Sequence, residues 1–121
     1  MAKVIDYNFK RGDTHNLRKF KITDKQGKEI TLTNADKLYF TMKTSTDVSE
    51  YVLQKRIGSG IEIQEDGYYH ITMESKDTKN LEYGDYFYDI ELKLINPKEI
   101  VKTVIEGTIT LEDEVTWGGN E

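Results

Sequence analysis

The stretch YGDYFYDIELKL, residues 83–94, decides the fold class because its apolar side chains recur at every second position. Successive side chains of a β-strand point to opposite faces, so this period predicts a half-buried strand and not a helix. Asp89, Glu91 and Lys93 fall in the other phase, on the face predicted to meet solvent. The residues predicted to form the core are Tyr86, Tyr88, Ile90 and Leu92.

Other segments repeat this alternation. They are KLYFTMK (37–43), YYHITME (68–74) and IVKTVIEGTITLE (100–112). In the last of these, one phase is predicted to run unbroken through Val101, Thr103, Ile105, Ile109 and Leu111. Gly107 falls in that phase too, where a glycine is typical of a bulge or of a close backbone crossing.

Turn residues separate the predicted strands. Turns are expected at TDKQGKE (23–29), GSG (58–60), EDG (65–67) and NPKE (96–99), and one short helical turn is expected near 75–82. A sheet with one apolar face needs a second layer to cover it. The chain is therefore predicted to be all-β, an immunoglobulin-like antiparallel β-sandwich of seven to nine strands. Residues 1–116 are expected to form a single domain, and 117–121 a flexible C-terminal tail.

A Gly-x-Tyr-x-Tyr sequence at 84–88 sharpens this prediction. It follows a one-turn connection and is similar to the tyrosine corner of immunoglobulin-like sandwiches, in which a tyrosine hydroxyl bonds to backbone upstream. Tyr86 is the predicted corner residue. Tyr88 then occupies the place that a disulfide cysteine takes in antibody domains. The alternative is a barrel-type strand with buried tyrosines.

Composition and charge narrow the functional classes. The 121 residues include no cysteine and carry a net charge of −5. Residues 1–28 hold eight Lys or Arg against three acids. Arg18, Lys19 and Lys21 interleave with Phe20 and Ile22 as in a strand with a solvated edge, so no nucleic-acid partner is predicted. In the alternative, a basic end and an acidic body help copies or partners orient head to tail. No apolar run is long enough for a signal peptide or a membrane span.

The residues that could carry catalysis lack partners of the right type and spacing. His15 and His70 are far apart in sequence, and DKQGKE and GSG depart from calcium-loop and nucleophile motifs. Two acidic groups lie at strand ends, where carboxylates are usually solvated: Glu62, Glu65 and Asp66, and Glu112, Asp113 and Glu114. We predict no enzyme, no metal site and no cofactor.

Binding remains, and the outer face of the sheet is where we expect it. If strands 37–43, 84–95 and 100–111 are neighbours, their outward residues include Tyr39, Phe87 and Val104. Apolar residues that meet on adjacent strands form a patch, and such patches mark contacts between proteins. These three residues are the candidate interface. In the alternative, the strand order differs and they never meet.

Taken in order, several segments resemble a known family. They are FKRGDT, ITDKQGKEITLTNADKLYFTMK, LQKRIGSGIEI, GYYHITMESKDTKNLEYGDYFYDIEL and KTVIEGTITLEDEVT. Together, over roughly residues 9–116, they resemble the small immunoglobulin-like phage proteins related to the N-terminal domain of baseplate upper proteins.

The resemblance implies a structural virion component of a phage or prophage tail or baseplate. Such a protein is synthesised in the bacterial host cytoplasm without a signal peptide, has no catalytic residues, and docks onto other tail or baseplate proteins. In isolation we expect a monomer or a weak oligomer, because many copies in a virion let each interface be weak. The alternative function is a β-sandwich carbohydrate-binding module with exposed tyrosines and Trp117 as stacking platforms.

Overall fold

The protein is all-β, as predicted. The computed structural model describes residues 3–24, 26–30, 32, 36–95 and 99–112, and within them the chain forms nine strands and one short helix. The elements are β1 (Lys3–Val4), β2 (Tyr7–Lys10), β3 (His15–Asn16), β4 (Lys37–Lys43), β5 (Leu53–Ile57), β6 (Gly60–Ile63), β7 (Tyr69–Met73), α1 (Ser75–Thr78), β8 (Gly84–Leu94) and β9 (Ile100–Glu112). The helix lies inside the range expected for the helical turn.

The strands form one curled mixed sheet in the order β1-β9-β8-β4-β5-β6-β7-β3, with β2 also paired to β9. The expectation of purely antiparallel strands is wrong, because β1 and β2 run parallel to β9 and β5 pairs in parallel with β6. A tight hairpin can join only antiparallel strands. The parallel pairs of β1 and β2 with β9 instead bring together the first and last strands of the chain. Hydrogen bonding is continuous through the sheet, so the two-sheet sandwich stays a prediction.

The tyrosine-rich stretch lies inside the molecule. Along β8 the buried and more exposed residues alternate, and all four predicted core residues, Tyr86, Tyr88, Ile90 and Leu92, are buried. The alternation predicted for β4 and β7 is also present, and their apolar phases join the same core. Burial of these side chains is the main source of folding free energy.

The predicted unbroken phase of β9 is wrong at its N-terminal end. Pairing between β8 and β9 shifts by one residue after Ile90 and Ile105, which leaves Val104 as an extra residue in a β-bulge. Thr103 and Val101 consequently pair with outward residues of β8 and lie on the outer face. An inserted residue moves every later side chain to the other face, so a pattern of period two cannot be continued across a bulge.

Gly107 marks a close backbone crossing, one of the two roles predicted for it. The carbonyl group of Ile5 passes against it, between β1 and β2. The Tyr88 hydroxyl donates to the Ile5 carbonyl oxygen at 2.6 Å, and the Thr108 N–H donates to Asp6 Oδ1 at 2.9 Å. Burial raises the pKa of Tyr88, and Tyr7 and Asp6 add to this effect. The N-terminal strand is thus fastened to the centre of the sheet.

The hydrogen bond that a tyrosine corner requires is present. Tyr86 Oη donates to the Glu82 carbonyl oxygen at 2.8 Å, four residues upstream. The ring of Tyr88 packs against Phe40 and Tyr7, with centroid distances of 5.5 and 5.9 Å. Tyr88 therefore bridges the central strands and the N-terminal strand without a disulfide.

A buried ion pair connects the helix to the sheet. Lys55 Nζ of β5 lies 2.9 Å from Asp77 Oδ2 of α1, and both side chains are only 8% exposed. Asp77 also accepts the Glu74 N–H at 2.7 Å, which begins the helix with a capping box. The stem of Lys55 packs so closely over Gly60 that a Cβ there would lie 2.7 Å from Lys55 Cγ.

The predicted turns at 23–29 and 65–67 are present, with Gly27 and Gly67 at positive φ. Several predicted features lie outside the described residues: most of the turn at 96–99, the tail 117–121 with Trp117, and the acids Asp113 and Glu114. No helix in the described ranges is long and apolar enough to cross a membrane.

Candidate protein-binding face

The predicted interface residues lie on neighbouring strands but not beside one another. The order β4-β8-β9 is as expected. Tyr39, however, pairs with Glu91, four positions along β8 from Phe87, which corresponds to roughly 13 Å at 3.3 Å per residue. Val104 occupies the bulge and packs partly buried against the core. The three side chains therefore do not form one patch, and their role as an interface stays a prediction.

A depression surrounds Phe87 instead. It has a volume of about 390 Å³ and opens on the outer face of the sheet. We call it the outer concavity and define it by Thr41, Lys43, Phe87, Asp89, Glu106 and Thr108, with further lining from the N-terminal strand. Phe87 is 38% exposed there. The concavity thus combines an accessible aromatic ring with charged and hydroxyl side chains.

Strand register places these side chains. Phe87 and Asp89 are consecutive outward residues of β8, the strand between β4 and β9. Asp89 pairs with Thr41 on one side and with Glu106 on the other. Side chains of directly paired residues are close neighbours, and like charges in such pairs are destabilising. Two carboxylates therefore face each other across β8 and β9.

The electrostatics of the concavity are acidic. The pKa of Asp89 is raised, mainly because the carboxyl is partly removed from water, and secondly because Glu91 is close; Lys43 opposes these effects. Lys43 Nζ donates to the Val48 carbonyl oxygen at 2.9 Å. Within the described chain, the carboxylate of Asp89 has no hydrogen-bond or ion-pair partner. The face therefore carries negative charge that Lys43 offsets only in part.

The acids near the β6–β7 turn are either exposed or bonded within the fold. Glu62 and Glu65 are exposed, and Asp66 accepts the Tyr68 N–H at 2.9 Å and lies 3.2 Å from Lys19 Nζ. The Tyr68 N–H lowers the pKa of Asp66, whereas a general acid needs a raised one. In the part of the chain that is described, no three His, Cys, Asp or Glu side chains group as a metal site.

The two histidines pack on neighbouring side chains. The ring of His15 stacks on Phe9 with a centroid distance of 4.3 Å, and His70 Nε2 lies 3.5 Å from Asp66 Oδ1. They sit on β3 and β7, away from the outer concavity. Both histidines therefore have packing roles, and neither lies at the candidate face.

A scan against protein-family models and a search of curated proteins found no match to this chain. Sequence reasoning named Phe87 correctly as an outward residue but missed the concavity, Asp89 and Glu106. The alternation of β8 placed Asp89 outside, yet its pairing with Glu106 depends on where the bulge in β9 falls.

The basic groups near the N-terminus are largely engaged within the chain. Besides its contact with Asp66, Lys19 lies over the Tyr68 ring at 4.5 Å, and Lys21 lies over the same ring at 4.8 Å. Lys21 also approaches Glu29 at 3.9 Å. Because these contacts partly neutralise Lys19 and Lys21, they argue against the alternative in which a basic end orients copies or partners head to tail.

Proposed function

We propose that the protein is a non-enzymatic structural component of a phage or prophage tail or baseplate. It docks onto other virion proteins through the outer face of β4, β8 and β9, centred on the outer concavity. The resemblance over roughly residues 9–116 supports the virion role. The observation that carries the docking site is Phe87, exposed beside the register-paired carboxylates of Asp89 and Glu106. Locally unfavourable choices of this kind are typical of functional surfaces.

The sheet edges are weaker docking candidates than the face. A partner strand needs a row of free backbone groups to extend a sheet. The edge strands β1, β2 and β3 have two, four and two residues, and Ile5 and Asp6 separate β1 from β2. Short edge strands discourage strand addition. Side-chain recognition on the face is therefore the preferred mode.

The tyrosines argue against the carbohydrate-binding alternative. Sugar stacking needs open aromatic faces, and Tyr83, 46% exposed, has the Arg11 guanidinium 4.2 Å from its ring centroid. Tyr68 carries Lys19 and Lys21 over its ring in the same way. These two rings are thus already covered by the protein's own cations, whereas Tyr51, 54% exposed, has no cation over its ring among the described residues. Trp117 lies outside the described residues.

The test is partner capture with purified proteins. Each tail or baseplate protein encoded beside this gene is immobilised, and binding is measured by biolayer interferometry for wild type and for Phe87→Ser. Loss of one buried phenylalanine is worth about 1.5–3 kcal/mol, so we expect binding to weaken roughly 10- to 100-fold. Ile63→Ser is the matched control, because Ile63 is 54% exposed on β6, away from the concavity.

Two results would contradict the proposal. One is equal binding by wild type and Phe87→Ser. The other is a gene neighbourhood of polysaccharide-degrading enzymes without tail genes, with no tail protein captured; this would favour the carbohydrate-binding alternative. Sizing with light scattering measures self-association directly, and we expect a monomer or a weak oligomer.

A further inference from the structure

The outer concavity has the size and lining of a pocket for one long side chain. Its volume of about 390 Å³ is near the lower end of sites that take small ligands. Phe87 supplies an aromatic surface, and Thr41 and Thr108 supply hydroxyls from the flanking strands. The open outer side leaves the pocket accessible to a group projecting from another protein.

The charge of the pocket selects a cation. Asp89 and Glu106 pair directly across two strands, and Glu91 is the next outward residue of β8. Of the described lining residues only Lys43 is basic, and its ammonium group donates to a loop carbonyl. Because like charges in register destabilise a sheet, an external positive charge would relieve a repulsion that Lys43 offsets only in part.

The aromatic ring distinguishes arginine from lysine. A planar guanidinium stacks on an aromatic face and can donate two parallel hydrogen bonds to one carboxylate, whereas an ammonium is a strongly hydrated point charge. Phe87 lies two residues from Asp89 on the same face, so a single group can reach both. We infer that the outer concavity receives an arginine side chain of the docking partner. This inference rests on the docking role proposed above.

The protonation of Asp89 gives the site a pH dependence. The pKa of this carboxyl is raised by loss of hydration and by Glu91. Glu106 raises it further, and Lys43 lowers it. A bound guanidinium favours the ionised form, so binding releases protons near the pKa and weakens as the pH falls below it.

The test uses the peptide acetyl-Gly-Arg-Gly-amide as probe, titrated into ¹⁵N-labelled protein. Its citrulline counterpart is the control, because citrulline keeps the shape of arginine and lacks the charge. We expect saturating shifts of the Phe87, Asp89 and Thr108 amides, with a dissociation constant on the order of 1 mM for one side chain. Asp89→Asn and Phe87→Ala are each expected to weaken this binding about fivefold or more, and the spectrum itself reports whether each variant is folded.

Several outcomes would overturn the inference. These are no shift at the three amides, equal shifts with the citrulline peptide, or shifts centred on other acids such as Glu62 and Glu65. Shifts that depend on protein concentration alone would assign the pocket to a second copy. The test is separable from that of the docking role. If Phe87→Ser weakens partner capture but the arginine peptide does not bind, the arginine inference is wrong and the docking role stands. If the peptide binds but no tail protein is captured, the docking role is wrong.

Discussion

Replacing Gly107 by alanine is expected to detach the N-terminal strand from the sheet. A Cβ at this position would lie 2.8 Å from the Ile5 carbonyl carbon and 2.9 Å from Asp6 Oδ1. The first is a backbone atom, which cannot rotate away as a side chain can. The φ of Gly107 is not positive, so alanine itself fits the backbone there. The penalty is therefore steric and falls on the crossing strand.

The hydrogen bonds at the crossing give the magnitude. Displacing Ile5 and Asp6 breaks the bonds from Tyr88 Oη to Ile5, from the Ile5 N–H to the Glu106 carbonyl oxygen, and from the Thr108 N–H to Asp6. At about 1 kcal/mol each, with about 1–2 kcal/mol for an unpaired buried hydroxyl, the free energy of unfolding falls by roughly 3–5 kcal/mol.

Urea unfolding and amide hydrogen exchange measure this loss. With a slope of about 2 kcal/mol per molar urea, the midpoint is expected to drop by about 1.5–2.5 M. The Ile5 amide should also lose its protection. Thr108→Ala is the control, because it removes only the 3.2 Å contact of the hydroxyl with Asp6 and keeps the backbone bond. A Gly107→Ala variant within about 0.5 kcal/mol of wild type, with Ile5 still protected, would refute the reasoning.

Three further substitutions test other parts of the account. Tyr86→Phe removes the corner bond to Glu82 and should lower the free energy of unfolding by about 1 kcal/mol in urea titrations. Lys55→Met leaves the buried carboxylate of Asp77 without its ion-pair partner and should destabilise by roughly 3 kcal/mol, part of which Asp77→Asn restores in the double variant. Asp89→Asn should stabilise the isolated protein at pH 7. With a raised native pKa, the stability that protonated Asp89 contributes is fully present below the unfolded value of 3.8 and is lost as the pH rises through the native pKa. The gain from Asp89→Asn should therefore vanish in acid.

Each of these predictions has a control or a result that contradicts it. Tyr39→Phe removes a phenol hydroxyl from a half-buried outward tyrosine and should stay within about 0.5 kcal/mol of wild type. Equal losses for Tyr86→Phe and Tyr39→Phe would remove the special role of the corner. Additive effects of Lys55→Met and Asp77→Asn would show that the two side chains are not coupled. An Asp89→Asn variant that is less stable than wild type at pH 7 would contradict the proposed repulsion.

Local alternation predicted the core and the strands that carry it. In β8 the buried side chains of Tyr86 and Ile90 follow directly from period two, because one face of the strand packs on the core. The close crossing at Gly107 could also be predicted, because a glycine in the apolar phase of a strand leaves room for another backbone. The Tyr86 hydroxyl bond followed from the need of a buried phenol for a partner.

Features set by pairing between distant segments could not be predicted. The bulge at Val104 moves the start of β9 to the other face, and no local signal in the sequence marks its place. The ion pair between Lys55 and Asp77 joins β5 to α1. The sequence alone does not distinguish a buried lysine from a solvated one. The register pair of Asp89 and Glu106 likewise depends on how β9 aligns with β8.

Photo-cross-linking in intact phage particles tests most directly the proposal that this protein is a virion component and that its outer face contacts a tail or baseplate protein. The photoreactive residue p-benzoylphenylalanine replaces Phe87 in phage particles carrying the protein, and Ile63 in a parallel preparation, because both positions are exposed on different parts of the fold. After irradiation, mass spectrometry is expected to find a cross-link from position 87 to a tail or baseplate protein and none from position 63. Absence of the protein from purified particles, or the same cross-links from both positions, would contradict the account.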